Sequence, residues 1–346
     1  LKEMSYGAHI VAGPNEFRIP CATHVGISKL QFCPESGSTL LAVSAWDGTV
    51  HVYDVANQND IREAHVYYHG KPALCCAFVG RNNVVSGGAD FSVKVADIEA
   101  GKDWSLGAHA NGVRCIEYNR RINLVVSGSW DNTAKLWDPR SPSISSPVHT
   151  AQLSDKVYAL DTKEDKVVIG TRNRMVYVYD VRNMQNPEQT RESPLKYQTR
   201  AISLFPSADA FVLSSIEGRV AVEYIDQSPV WQQKKYAFKC HRSKDAGDGT
   251  ELIYPVNTIA FHPIHSTFAT GGSDTIVNLW DPYNRKRLVQ LHKFDASIMS
   301  ASFSADGSLL AIASSYGYEE EVDPSPMPDN TITIRKISDS ECRPRS

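Results

Sequence analysis

The chain has 346 residues, a hydrophobic content of 42% and 36 basic against 39 acidic side chains, a net charge of −3 that argues against general affinity for nucleic acid. That apolar content suffices for a substantial core, and 21 glycines with 18 prolines point to many turns rather than long helices. With no long apolar span and no charged-then-apolar leader, neither membrane insertion nor secretion is expected.

In chain order, NEFRI (Asn15 to Ile19) reads as a short strand standing before any repeat. SAWDGTVHVYDV (44–55) places Trp46 directly before an Asp-Gly turn, between two apolar runs, where an exposed indole gains nothing by burial. SWDNTAKLWD (129–138) repeats that layout with Trp130. Alternating apolar strands close on Asp54, Asp97, Asp138 and Asp180, at spacings of 43, 41 and 42 residues, the period of a four-stranded propeller blade. Two longer units end in RVAVEY at Tyr224 and VNLWD at Asp281, and TITIRKI spans Thr331 to Ile337. Inner strands begin near Ile27, Ala73, Val113, Val157, Ala201, Thr258 and Met299. This pattern resembles the WD-repeat family. It predicts an all-β fold, a single-domain seven-bladed WD-repeat β-propeller over 15–338, with an N-terminal tail at 1–14 and a C-terminal tail at 339–346.

After TITIRKI the chain has no further strand pattern, so the seventh blade lacks its fourth strand and NEFRI is expected to supply it, closing the ring with few exposed edges. The insertions SKDAGDGTEL (243–252) and YGYEEEVDPSPMPDN (316–330) read as polar, turn-rich loops. Seven cysteines, an odd number without C-x-x-C spacing, read as reduced and mostly buried thiols of an intracellular protein. No metal or cofactor is expected.

His109, Ser127 and Asp131 imitate a hydrolase triad, but they match, with Trp137, the hydrogen-bond chain that runs through a WD blade from a loop His to a third-strand Trp. Neither an exposed nucleophile nor an oxyanion site is signalled, so the chain is expected not to be an enzyme. The glycines of SGGAD and TGGSD are hairpin chemistry, and the KKY and NRKR runs read as solvated rim.

Blade topology sorts loops onto two ends. Turns between second and third strands share one end, the top, with links from each fourth strand to the next blade. Arg200 starts the first strand of blade five, Arg219 starts its third just past a Glu-Gly turn, and Lys239 lies near the end of its fourth. All three fall toward the top. Between residues 191 and 242 there are eight Lys/Arg against five Asp/Glu, a local inversion of the chain's charge. Trp46 and Trp130 fall on the same end. Aromatic anchors beside cations suit a partner segment carrying acidic or phosphorylated residues.

Along RESPLKYQTR, VLSSIEGRVAVEY, KKYAFKCHR, YPVNTIAFHP and TFATGGSD the chain resembles the mitotic checkpoint WD-repeat protein of the budding uninhibited by benzimidazoles family, the propeller partner of the Bub kinases. The resemblance extends from NEFRI to LAIASSYGYE. It implies a non-catalytic, monomeric propeller working in hetero-complexes in the nucleus and, in mitosis, at the kinetochore. The implied partners are the GLEBS segments of the Bub kinase and its BubR-type relative, and phosphothreonine Met-Glu-Leu-Thr motifs of the phosphorylated kinetochore scaffold. No membrane partner and no direct nucleic-acid contact are implied. By position, Arg219 and Lys239 match the phosphate-binding cations, Arg200 the residue that pairs with acidic GLEBS side chains, and Trp46 and Trp130 aromatics of the peptide-contacting face. ADFSVKVADIEAGKDW departs from the pattern by lacking a Trp-Asp ending, and Lys239 keeps charge but not bidentate geometry. A second resemblance, to the messenger-RNA export propeller of the nuclear pore that binds a nucleoporin GLEBS segment, implies a more basic surface than this chain carries.

Overall fold

The structure, a computed structural model, describes residues 13, 15–19, 25–141, 146–245, 247–317 and 329–345. Cys21, the 1–14 segment apart from Gly13, and most of the 316–330 insertion lie outside the described residues. Seven antiparallel four-stranded sheets form a ring of blades. Blade three shows the plan: Val113–Asn119, Leu124–Ser129, Thr133–Trp137 and His149–Gln152 follow one another from the axis outward. The other inner strands start at Ile27, Ala73, Val157, Thr199, Val256 and Ile298, within two residues of the positions read from periodicity. Period-2 alternation lets both sheet faces bury apolar residues against the neighbouring blades. Val50 and Val52 of blade one, for example, meet Cys76 and Phe78 of blade two.

Ring closure follows the pattern read from NEFRI. Glu16–Ile19 pairs antiparallel with Thr331–Lys336, in register from Glu16 against Arg335 to Ile19 against Ile332, as the outer strand of blade seven. The Glu16 carboxylate, buried, accepts from Arg335 at 2.8 Å and meets His292 Nε2 at 2.9 Å, while Arg18 donates to Asp295 at 2.7 Å. Two ends of the chain are thereby joined by backbone ladder, ion pairs and the apolar contact of Ile19 with Ile332 and Ile334.

Each inner strand carries a β-bulge just after its first residue, at Ser28, Leu74, Arg114, Tyr158, Arg200, Asn257 and Met299. A bulge leaves one residue out of the ladder and re-aims its side chain. Six of the seven, Leu74 excepted, line the central cavity.

Two segments differ from a sequence-level loop. In the insertion expected as a polar loop, Arg242–Lys244 pairs with Glu251–Ile253 as a two-stranded hairpin. Beyond the last strand, Asp339–Cys342 forms one helical turn with Cys342 buried and its carbonyl accepting from Thr267 Oγ1 at 2.8 Å. The six described cysteines are free and buried, and burial pushes the Cys76 thiol up to about 11. Among the described residues no helix is long and apolar enough to cross a membrane, and no group of three or more His, Cys, Asp or Glu is placed to hold a metal ion.

Candidate functional site

The top of blade five is built by a tight turn. Its second strand, Ala210–Ser215, turns through Ile216, Glu217 and Gly218 into the third, Arg219–Tyr224. Gly218 has φ of +59°, and a Cβ there would stand 2.9 Å from the Cys240 carbonyl, so only glycine lets the outgoing chain close over the turn. Arg219 is then registered directly opposite Lys239 of the fourth strand, Tyr236–Lys239. Directly opposed side chains share a face with Cβ atoms about 5 Å apart, so the two cations start from neighbouring positions on one face. Both reach solvent, with side-chain exposures of 37% for Arg219 and 55% for Lys239.

Like charges so placed repel, and the local structure compensates. Glu217 Oε2 lies 3.9 Å from Arg219 Nε, and Glu251 Oε1 lies 3.7 Å from Lys239 Nζ. Arg242 joins them: it donates to the Glu217 carbonyl at 2.7 Å, the Gly218 carbonyl at 3.2 Å and Glu251 Oε2 at 2.9 Å. Glu251 and Arg242 belong to the inserted hairpin, and sequence reasoning passed over both because a polar insertion offers no periodic signal.

Arg200 stands apart from this pair. As the bulge residue of blade five it turns toward the channel mouth, where Nε and Nη2 donate to Asn257 Oδ1 at 3.0 and 2.7 Å. Asn257 is in turn fixed by donating to Ser273 Oγ at 2.9 Å and the Ile298 carbonyl at 3.1 Å. Arg114, Lys156, Tyr158 and Trp130 line the same mouth, around a cavity of about 340 Å³. Trp130 packs against Gly112, where a Cβ would fall 2.7 Å from its ring, and its buried indole Nε1 has no hydrogen-bond partner among the described residues. Trp46 is 47% exposed on the blade-one turn, its backbone N–H bonded to the Gly26 carbonyl. The five residues therefore occupy one end but three places: the Arg219–Lys239 pair on blade five, Arg200 with Trp130 at the channel mouth, and Trp46 across the ring.

The eight cations of 191–242 divide. Arg191 donates to the Tyr224 and Ile225 carbonyls, and Lys234 and Lys235 precede Tyr236, which pairs with Val222; all three belong to the opposite end. Deeper in the channel, Lys29 is already paired with Glu117 at 2.5 Å.

His109, Ser127, Asp131 and Trp137 form a continuous chain inside blade three. Trp137 Nε1 donates to Ser127 Oγ at 2.7 Å, Ser127 reaches His109 Nε2 at 2.8 Å, and His109 Nδ1 reaches Asp131 Oδ2 at 3.0 Å. Burial lowers the His109 pKa, only partly opposed by Asp131, which keeps the ring neutral with its proton on Nδ1, the tautomer this direction of donation requires. Ser127 is fully buried and spends its hydroxyl on these bonds, so it cannot meet a substrate. Blade six repeats the chain with Trp280, Thr270, His241 and Asp274, and blade two with Tyr67, Ser86, His69 and Asp90.

The model of the WD domain, G-beta repeat, matches residues 102–138 and 251–281. The chain is 57% identical over 339 residues to the mitotic checkpoint protein bub-3 of Caenorhabditis elegans, covering 98% of each. Identity to the mitotic checkpoint protein BUB3.1 of Arabidopsis thaliana is 45%, covering 92% of each, and to the mRNA export factor GLE2 of Chaetomium thermophilum 34%, covering 96% of this chain and 93% of that one. Among solved structures, that of U3-55K superposes with a TM-score of 0.80 at 18% identity, covering 94% of this chain and 99% of the other, a likeness of fold.

Proposed function

Because the chain belongs to the Bub3 family of mitotic checkpoint proteins, with its WD repeats folded as a seven-bladed propeller, we propose that it is a non-catalytic adaptor whose top end reads phosphothreonine through Arg219 and Lys239. The observation that carries this reading is the registered, solvent-facing cation pair. A ligand bringing nearly two negative charges and three acceptor oxygens can meet both cations at once, which neither resident carboxylate does. On this reading Arg200, Trp130 and Trp46 receive a GLEBS segment of a Bub-type kinase laid across the same end. A partner's acidic side chain meets Arg200 at the channel mouth, where Asn257 holds the guanidinium in place. Phosphorylated Met-Glu-Leu-Thr motifs of the kinetochore scaffold then bring that kinase to kinetochores. Identity of 57% and 45% to checkpoint proteins against 34% to an mRNA export factor, and the net charge of −3, favour this reading over a nuclear-pore role.

Fluorescence anisotropy with a Met-Glu-Leu-Thr peptide, phosphorylated and not, tests it. A charged hydrogen bond contributes about 1.5–3 kcal/mol, so Arg219→Ala should weaken the phosphopeptide by roughly tenfold or more and leave the unphosphorylated peptide unaffected. Equal affinity of the wild-type protein for the two peptides would refute the phosphate reading.

A further inference from the structure

The cation pair is already occupied by the protein's own carboxylates, and the two differ in kind. Glu217 is part of the fold: its side chain is 13% exposed and its Oε1 accepts from the Lys196 N–H at 2.9 Å. Glu251 is 46% exposed and is delivered by the hairpin inserted between blades five and six. Its two oxygens divide between Lys239, at 3.7 Å, and Arg242, at 2.9 Å. Arg242 is independently tied to two backbone carbonyls, so it stays in place whether or not Glu251 faces it. Lys239 has no other carboxylate partner among the described residues.

We propose that Glu251 is a resident counter-ion of the phosphate site, an internal competitor that an incoming phosphate displaces from Lys239. The inference rests on the phosphate reading of Arg219 and Lys239. Breaking the Lys239–Glu251 pair costs the same for every anion, so the competitor does not alter the ratio between ligands. It lowers all affinities together. A single carboxylate exchanges like for like and falls below useful affinity, whereas a phosphate dianion, with more charge and more acceptors, remains above it. Displaced from Lys239, Glu251 keeps Arg242 as its partner, so the hairpin remains docked while the site opens.

Glu251→Gln tests this against Asp248→Asn, which removes the same charge from the hairpin tip while keeping the acceptor for the Thr250 N–H. Two titrations are read on each protein: inorganic phosphate, followed by NMR at the Arg219 and Arg242 Nε–Hε resonances, and the phosphorylated Met-Glu-Leu-Thr peptide. Exposed ion pairs are weak, so Glu251→Gln should tighten both ligands by about two- to fivefold, with Asp248→Asn unchanged. Unaltered or weaker phosphate binding by Glu251→Gln overturns the competitor, as does an equal gain in Asp248→Asn. If the wild-type protein binds the phosphorylated Met-Glu-Leu-Thr peptide and its unphosphorylated counterpart alike while Glu251→Gln still tightens inorganic phosphate, the peptide reading fails and the competitor stands.

Discussion

Replacing Ser127 by alanine removes a hydroxyl on which two aromatic side chains depend. The position is fully buried, and its Oγ accepts from Trp137 Nε1 at 2.7 Å while bonding His109 Nε2 at 2.8 Å. The substitution leaves both nitrogens without a partner where water cannot follow, at about 1–3 kcal/mol for each unsatisfied group, and so predicts a loss of about 2–6 kcal/mol. The effect should spread to the binding end. His109 orients Asp131, which accepts from the Ala110 and Thr133 N–H groups at 2.9 Å each and so holds the turn that carries Trp130. Urea denaturation followed by tryptophan fluorescence measures the stability. Blade six supplies a control, since Thr270 performs the same task there, and Ser127→Thr should recover most of the loss. If Ser127→Ala unfolds within about 0.5 kcal/mol of wild type, or if Ser127→Thr is as damaging as alanine, the network does not stabilise the blade as argued.

The closing strand predicts a pH-dependent stability. Burial pushes the Glu16 carboxyl up, but bonds from His292, Arg335 and Gly13 outweigh it and leave its pKa lowered; His292 is raised by the Lys293 carbonyl and Glu16 against its own desolvation. Glu16 therefore stabilises above its unfolded pKa and loses that contribution as pH falls through the lowered folded value, whereas His292 stabilises below about 6.5 and loses it as pH rises through its raised value. The stability difference between wild type and Glu16→Gln should peak near pH 5–6.5, at about 1–3 kcal/mol, and a flat profile in thermal melts would contradict the assignment. Arg200→Ala should weaken a GLEBS peptide by about 1–3 kcal/mol in calorimetry while leaving inorganic phosphate binding intact, because the two sites are separate. Phosphopeptide affinity should rise between pH 5 and 7 as the phosphate loses its second proton, with a pKa of about 6, and an affinity independent of pH would speak against recognition of the dianion.

Much of the fold was legible because strand alternation and the Asp-ended repeat are local signals. Asp54, Asp97, Asp138 and Asp180 set the blade period, and the missing outer strand of blade seven pointed to NEFRI. Placement of Arg219 and Lys239 at one end also followed from topology, since each lies a residue or two from a turn. What stayed hidden depends on register and tertiary contact. A bulge adds one residue without disturbing the apolar pattern, so the inward turn of Arg200 and its fixing by Asn257 appear only when the seven inner strands are laid over one another. The 243–252 insertion is polar throughout, and its hairpin is held by contacts such as Arg242 with the Gly218 carbonyl that no window of sequence contains. Net charge over 191–242 overstated the cluster, because Arg191 reaches carbonyls at the far end of blade five and Lys234 and Lys235 precede its fourth strand at that same end.

If a phosphate dianion rests between Arg219 and Lys239, the phosphorus nucleus reports on it directly. A ³¹P NMR pH titration of the phosphorylated Met-Glu-Leu-Thr peptide, free and saturated with protein, measures the second phosphate pKa in each state. Two adjacent cations should draw the bound value well below the free value of about 6. An unshifted or raised pKa in the complex would mean that the peptide binds without its phosphate meeting this pair.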